Sequence, residues 1–395
     1  MEVRVGAAAV LLLIAAVVAL VTRRFRLPYA AGLVATGMGL AFLPVMPQIT
    51  LTRDLLFTAL LPPLVFEAAY RIPWKSLRRD LGVIVFLATA GLLFSAAATA
   101  LGMHYLRNWT WLSCCAFGVL IAATDPVSVI AIFRDAGARG RLLLLVEAES
   151  LLNDGTAAVA FGIVVAFATG TGISPFSVLR LLATTIGGGM LCGGLVAALT
   201  LLLAGRTEDH LVEITMTTVA AYGSFLLADS LNLSGVLAAL TAGLVMGNRA
   251  EGTISARGRE AVLAFWDYAA FVANSLIFLL IGLRTANSQM LMFRVSSAVA
   301  IILVTLGRAL AIYPSCAFFF RSQQRVPMRH QHVLFWGGLR GALALALALA
   351  LPSELPQRDE VIAVSFAVVA FSVLVQGLTV KPLLHGLSEV PQPVA

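Results

Sequence analysis

Charge is scarce in this sequence. Only 12% of its 395 residues are Asp, Glu, Lys or Arg, against about 25% in soluble domains, while 60% are hydrophobic. A chain this apolar cannot cover itself with polar surface, so lipid is the expected solvent. Long polar stretches are also missing. The longest, such as 321–332, run to about a dozen residues, which leaves no room for a large soluble domain. A Gly-rich loop with phosphate-binding spacing is absent, which argues against an ATP motor within this chain. The four cysteines, Cys114, Cys115, Cys192 and Cys316, lie inside apolar runs. They lack the spacing of a zinc site or a disulfide framework and read as core packing. The net charge of +7 sits in short loops, which points to membrane topology and not to nucleic acid as a partner.

A transmembrane helix needs about 20 mostly apolar residues. Thirteen such spans are read, near 3–22, 28–43, 55–70, 81–103, 111–133, 142–168, 178–204, 211–228, 233–247, 261–283, 295–320, 333–351 and 361–380. With the N-terminus outside, the inner loops hold clusters such as Arg23 to Arg26, Arg71 to Arg79 and Arg321 to Arg329. The outer loops hold scattered single arginines. This bias predicts an N-out, C-in orientation. In the first segment the Arg cluster follows the apolar run, whereas a signal peptide carries its charge before it, so a retained span is expected. The fold class expected is all-α: a polytopic membrane protein of about thirteen helices.

Two basic residues, Arg308 and Arg340, fall inside spans, as do Glu67, Asp125, Glu147, Glu149 and Asp154. An ionisable group deep in a bilayer costs at least about 2.5–3.5 kcal/mol on insertion scales, and such groups pair, line a water path or bind an ion. At about 1.5 Å per helical residue, most of these positions converge on the middle and inner-middle of the membrane. Glu67 falls near the inner end of its span, like a residue at the mouth of a site.

Within Ala123-Thr124-Asp125-Pro126, Pro126 removes a backbone donor and opens the preceding turn. Carbonyls freed near Thr124, beside the Asp125 carboxylate, are candidate ligands for a small hard cation. Within Glu147-Ala148-Glu149-Ser150-Leu151-Leu152-Asn153-Asp154-Gly155, Ser150 and Asp154 share one helix face and Glu149 and Asn153 the adjacent row. One row suits cation ligands and the other a carboxylate paired with an arginine. Glu147 is expected to face an inner vestibule. The glycines of Gly337-Gly338-Leu339-Arg340-Gly341 weaken a second helix and admit close backbone approach. These two weak points lie in the fifth and twelfth spans. Interrupted helices at matching places in two inverted halves mark a transporter's binding site. Gly187-Gly188-Gly189 and Gly193-Gly194 read as close helix packing. Asp267, Asn274 and Ser275 read as packing polarity, and Glu213 and Asp229 as span-end groups that reach water.

At these residues the sequence resembles the electroneutral cation/proton antiporters of the NhaP type, relatives of the animal sodium/proton exchangers. The resemblance runs over nearly the whole chain. It is carried by Leu61-Pro62-Pro63-Leu64-Val65-Phe66-Glu67, Thr124-Asp125-Pro126, Glu149 to Gly155, Asn274-Ser275 with Phe278 and Gly282, Gly307-Arg308, Gly337 to Ala342, and Phe371-Ser372 with Gln376-Gly377. It implies that Asp125 and Asp154 bind the cation or proton with the Thr124 carbonyl, Ser150 and, more loosely, Glu67. It implies that Glu149 pairs with Arg308 beside Asn153, that Arg340 neutralises the region where the interrupted helices cross, and that Asn153 marks the electroneutral branch. It further implies a homodimer in the cell membrane. A core bundle (about 81–168 and 294–380) would move against a dimer bundle (about 1–70 and 211–283), with 178–204 as linker. Asp267 stands where the family often has Glu, and no long regulatory tail is expected.

The expectation is therefore a transporter and not an enzyme. It needs no cofactor, and it exchanges Na⁺ for H⁺ one for one by competition at a single site. Burial and a like charge favour the protonated carboxyl, whereas arginine and a bound cation favour the ionised one, so Asp125 and Asp154 should titrate as a unit. A K⁺/H⁺ antiporter on the same fold, and a cation channel or ion sensor, are the alternatives. Paired broken helices favour a carrier.

Overall fold

The computed structural model describes residues 2–25, 27–42, 52, 54–125, 129–130, 132–133, 140–168, 175–285 and 293–387. Pro126, which carried the helix-breaking argument, lies outside the described residues. Among them every regular element is helical: α1 (Glu2–Phe25), α2 (Tyr29–Leu40), α3 (Leu61–Arg71), α4 (Trp74–Arg107), α5 (Trp111–Ala122), α6 (Arg141–Ala168), α7 (Pro175–Ala204), α8 (His210–Ser230), α9 (Gly235–Arg249), α10 (Ala256–Thr285), α11 (Arg294–Phe318), α12 (Met328–Trp336), α13 (Ala342–Leu349) and α14 (Arg358–Gly386). π-Helical turns precede α3 at Leu55–Leu60 and widen α4 at Leu87–Gly91 and α14 at Ser372–Gln376. Seven of the described helices are long and apolar enough to cross a membrane.

Large apolar side chains cover much of the surface, and several charged ones are buried. Leu20, Leu195 and Phe318 are more than two-thirds exposed, whereas Glu149, Arg340 and Asp154 are buried. Hydrocarbon needs no polar coat, and charged groups retreat to where protein can satisfy them. The helices pack in two sets. In one, α1, α2, α3, α7, α8, α9 and α10 contact one another; in the other, α4, α5, α6, α11, α13 and α14 do. The sets meet where α6 lies against α3 and α9, and where α14 lies against α2 and α10.

Two helices are interrupted. α5 stops at Ala122, and Ala123 is already extended. α12 stops at Trp336, and the chain runs irregularly through Gly337–Gly341 before α13 begins at Ala342. The two gaps lie against each other, with Asp125 N donating to Leu339 O at 2.7 Å.

Backbone-to-backbone packing unites the first set. α9 presents Gly243 and Gly247 to α3, and a Cβ at Gly247 would overlap the Tyr70 carbonyl. Of the α7 glycines, Gly189 and Gly193 abut the backbone at Ser234 and Ala238, while Gly187 and Gly194 face open space. Glu213 corrects the expectation that it reaches water. It is fully buried and accepts from Ser255 N at 2.7 Å and Ser255 Oγ at 2.8 Å, fixing the start of α10. Asp229 is exposed, as expected.

Replacing Gly247 with Val should force α9 off α3. Overpacking costs of about 1–3 kcal/mol should lower the melting temperature of the detergent-solubilised protein, followed by tryptophan fluorescence. The same change at Gly194, which meets nothing, should not.

Candidate functional site

The polar run of α6 remains helical throughout, so its residues divide by face. Ser150 and Asn153 turn toward the gap after α5. Thr124 Oγ1 donates to Ser150 Oγ at 2.8 Å, Asn153 Nδ2 donates to Thr124 Oγ1 at 2.7 Å, and Thr124 N donates to Asn153 Oδ1 at 3.2 Å. The Asn153 amide thus replaces the helical partners that the backbone at Thr124 has lost. Its Nδ2 also donates to Glu149 Oε1 at 3.0 Å.

Glu149 lies one helical turn before Asn153 and is matched by a guanidinium. Arg308 on α11 binds it bidentately, Nη1 to Oε1 at 2.8 Å and Nη2 to Oε2 at 2.9 Å. Arg308 Nη2 also donates to the Leu334 carbonyl of α12 at 2.9 Å. One buried ion pair therefore ties α6, α11 and α12 together. Arg340 does different work. Its Nη1 donates to the carbonyls of Ala122 at 2.5 Å and Ala123 at 3.2 Å, the negative end of α5. Its own backbone N donates to Ser372 Oγ at 3.0 Å, where the π-helical turn of α14 brings the hydroxyl inward. The carbonyls of Ala122 and Ala123, just before Thr124, are thus occupied by arginine. A break this close to an Arg on the facing strand of chain leaves carbonyl and guanidinium as mutual partners.

A small cavity of 20 Å³ lies between the gaps, lined by Thr124, Asp125, Asp154 and Gly341 with Leu61, Leu64 and Val65 of α3. A void of this kind needs roughly 10–15 Å³ to hold one water, so a single water or small ion fits. Asp154 Oδ1 is buried and accepts no hydrogen bond from any of the described residues. Glycine is required at 341, because a Cβ there would overlap the Asp125 side chain. Two carboxylates, one with an unused oxygen, thus face one ion-sized space.

Ser150 and Glu67 do not line that cavity. Ser150 is bonded to Thr124. Glu67 pairs with Arg71 one turn later on α3, and Arg71 also pairs with Asp267 of α10. Asp267 is exposed and ionic, which corrects the expectation of packing polarity. Glu147 lines a second, wider cavity of 430 Å³ with Arg71, Arg79, Asp80 and Arg141, in keeping with the expected vestibule. Asp80 was not singled out in the sequence, where it abuts an apolar run and reads as a loop residue. It is buried and binds Arg141, Nη2 to Oδ1 at 2.7 Å, while Arg141 also donates to the Gln324 and Arg325 carbonyls. Ser372, part of the Phe371-Ser372 motif, accepts from Arg340 N and so fixes the chain after α12.

Because removing one member of a buried pair leaves the other uncompensated, Arg308→Met should destabilise the protein by about 3–5 kcal/mol. The double variant Glu149→Gln/Arg308→Met should recover much of that loss. Thermal melts of the two, compared in one detergent, check this; equal melting of single and double variants would contradict the pairing.

The sodium/hydrogen exchanger transmembrane family model matches residues 10–386. The chain is 37% identical over 373 residues to the Na⁺/H⁺ antiporter ApNhaP of Aphanothece halophytica, covering 92% of this chain and 70% of that protein. It is 31% identical over 399 residues to the Na⁺/H⁺ antiporter NhaH of Halobacillus dabanensis, covering 96% of this chain and 97% of that one. Its fold is like that of the solved sodium proton antiporter MjNhaP1 of Methanocaldococcus jannaschii, with a TM-score of 0.79 at 20% identity over 98% of this chain and 99% of the other. With nearly its full length matched by one family and by several of its curated members, the chain belongs to the sodium/hydrogen exchangers.

Proposed function

We propose that the protein exchanges Na⁺ for H⁺ across the cell membrane, one for one and without net charge movement. Asp125 and Asp154 form the cargo site, with Thr124 at its edge. The observation that carries this reading is the 20 Å³ cavity bounded by both carboxylates, together with the unpartnered Asp154 oxygen. A space that holds one small ion and two acids favours competition. Either a desolvated cation is held between the carboxylates, or a proton neutralises one of them. The names of the antiporter relatives supply the cation, Na⁺.

The roles divide by partner. Glu149, Arg308 and Asn153 are bonded to one another and to backbone, so they hold the site's geometry and do not exchange cargo. Arg340 balances the carboxylates and holds the end of α5. Glu67, paired with Arg71, acts at the approach to the site rather than inside it. The set containing α4, α5, α6, α11, α13 and α14 moves as the core against the set containing α3 and α7 to α10, the scaffold through which two copies form a homodimer. That motion carries the site from one membrane face to the other. The loop-charge bias supports an N-out, C-in orientation.

Asp154→Asn should abolish Na⁺-driven proton flux in proteoliposomes while leaving the melting temperature near that of the unaltered protein; retained exchange would remove Asp154 from the mechanism. In the unaltered protein an imposed membrane voltage should leave the exchange rate unchanged, and the apparent KM for Na⁺ should rise as pH falls. A rate that follows voltage would replace the electroneutral reading with a charge-moving one.

A further inference from the structure

A far larger cavity lies away from the ion site. It is a trough of 990 Å³ between α4 and α6 on one side and α7 and α9 on the other. At the upper end of the ~300–1,000 Å³ typical of ligand pockets, it is far larger than any single ion needs. Its walls are apolar almost throughout, and Arg249 is the one charged residue among the described residues that line it.

The trough has a direction. Along α9 its wall is one helix face, stepping from Leu237 through Leu240 and Leu244 to Asn248 and Arg249, the spacing of a single stripe. At 1.5 Å per residue that stripe is about 18 Å long, close to the half-thickness of a ~30 Å hydrocarbon core. The trough therefore spans about one leaflet. Its polar end is fixed where Trp74 N donates to Asn248 Oδ1 at 2.7 Å. There Trp74 is 46% exposed, an interfacial position that suits tryptophan. Arg249, Lys75 and Arg78 are exposed at the same end, and none has a side-chain hydrogen bond or ion pair among the described residues. The trough also opens sideways, since Val85 of α4 is 42% exposed and Leu202 of α7 is 68% exposed.

We propose that this trough binds one anionic phospholipid from the leaflet at the Arg249 end, its acyl chains along the α9 stripe and its phosphate at Arg249. Length, apolar lining and an unpaired cationic rim each match a part of that molecule. Basic pockets between membrane helices are the usual seats of anionic headgroups. A second copy of the chain fits less well, because the space is a cleft between helices and not a flat face. Its α6 wall, which includes Ala148, Leu151 and Leu152, is the opposite side of the helix that carries Glu149, Asn153 and Asp154. The lipid would thus sit between the two helix sets, on the helix that holds the ion site.

The experiment is native mass spectrometry of the full chain, extracted from vesicles of phosphatidylethanolamine with or without phosphatidylglycerol. One phosphatidylglycerol should remain on each protomer, in preference to phosphatidylethanolamine. Arg249→Glu, an exposed change, should reduce that retention by about tenfold, and Val85→Trp, which narrows the side opening, should reduce retention of either lipid. Equal retention of the two lipids would overturn the anionic assignment. Undiminished phosphatidylglycerol in both variants would overturn the site, as would lipid that appears only on dimers and is lost from protomers. The readout is independent of transport, so a failure here leaves the exchange reading untouched, and the converse also holds.

Discussion

The bilayer refuses unpaired charge, and the interior of this protein is arranged around that refusal. Several ionisable groups, Glu149, Asp154, Arg308 and Arg340 among them, are buried in that interior. A buried ion is tolerable only when another group answers it with good geometry. Arg308 meets Glu149 through two parallel hydrogen bonds and takes a backbone carbonyl as well. Arg340 meets the buried carbonyls that the end of α5 leaves without helical partners. These contacts hold α5, α6, α11 and α12 around one point. Without them the interrupted helices would leave unpaired polar groups in hydrocarbon.

Beside these pairings, Asp154 stands out. Its carboxylate keeps an oxygen that no described residue satisfies, beside Glu149, Asn153 and Thr124, which are bonded to one another or to Arg308 and Ser150. A static structural role would favour closing that gap with a hydroxyl or an amide. An oxygen left open beside a second acid and an ion-sized space suits a group whose partner comes and goes. The same logic explains why Asn153, and not a third acid, stands between Glu149 and Asp154. An amide both donates and accepts, so it can bond Glu149 and Thr124 together without adding charge.

Backbone proximity is the second constraint. Gly341 lets Asp125 rest against the returning chain after α12, and Gly247 lets α9 touch α3 along its length. In lipid, helix association gains little from burying apolar surface, and close packing of small residues takes over. The first glycine shapes the site and the second gives the scaffold side a rigid face. The remaining cleft between the two sets is where neither rule was applied, and it is wide.

Much of this protein could be read from its residue order. Composition and apolar run length determine a helical membrane protein, because a bilayer allows few other structures. The glycines of 337–341 announce a broken helix, and the polar run at 147–155 announces a site, because both are too costly in hydrocarbon to be incidental. Pairings across long separations could not be read by spacing. Glu149 and Arg308 are 159 positions apart, and only the resemblance to a family, not periodicity, linked them. The use of the Ala122 and Ala123 carbonyls by Arg340, the burial of Glu213 and Asp80, and the ionic contact of Arg71 with Asp267 were decided by tertiary structure alone. Each depends on which helix happens to face a polar group, and a one-dimensional pattern reports depth in the membrane but not the identity of the neighbour.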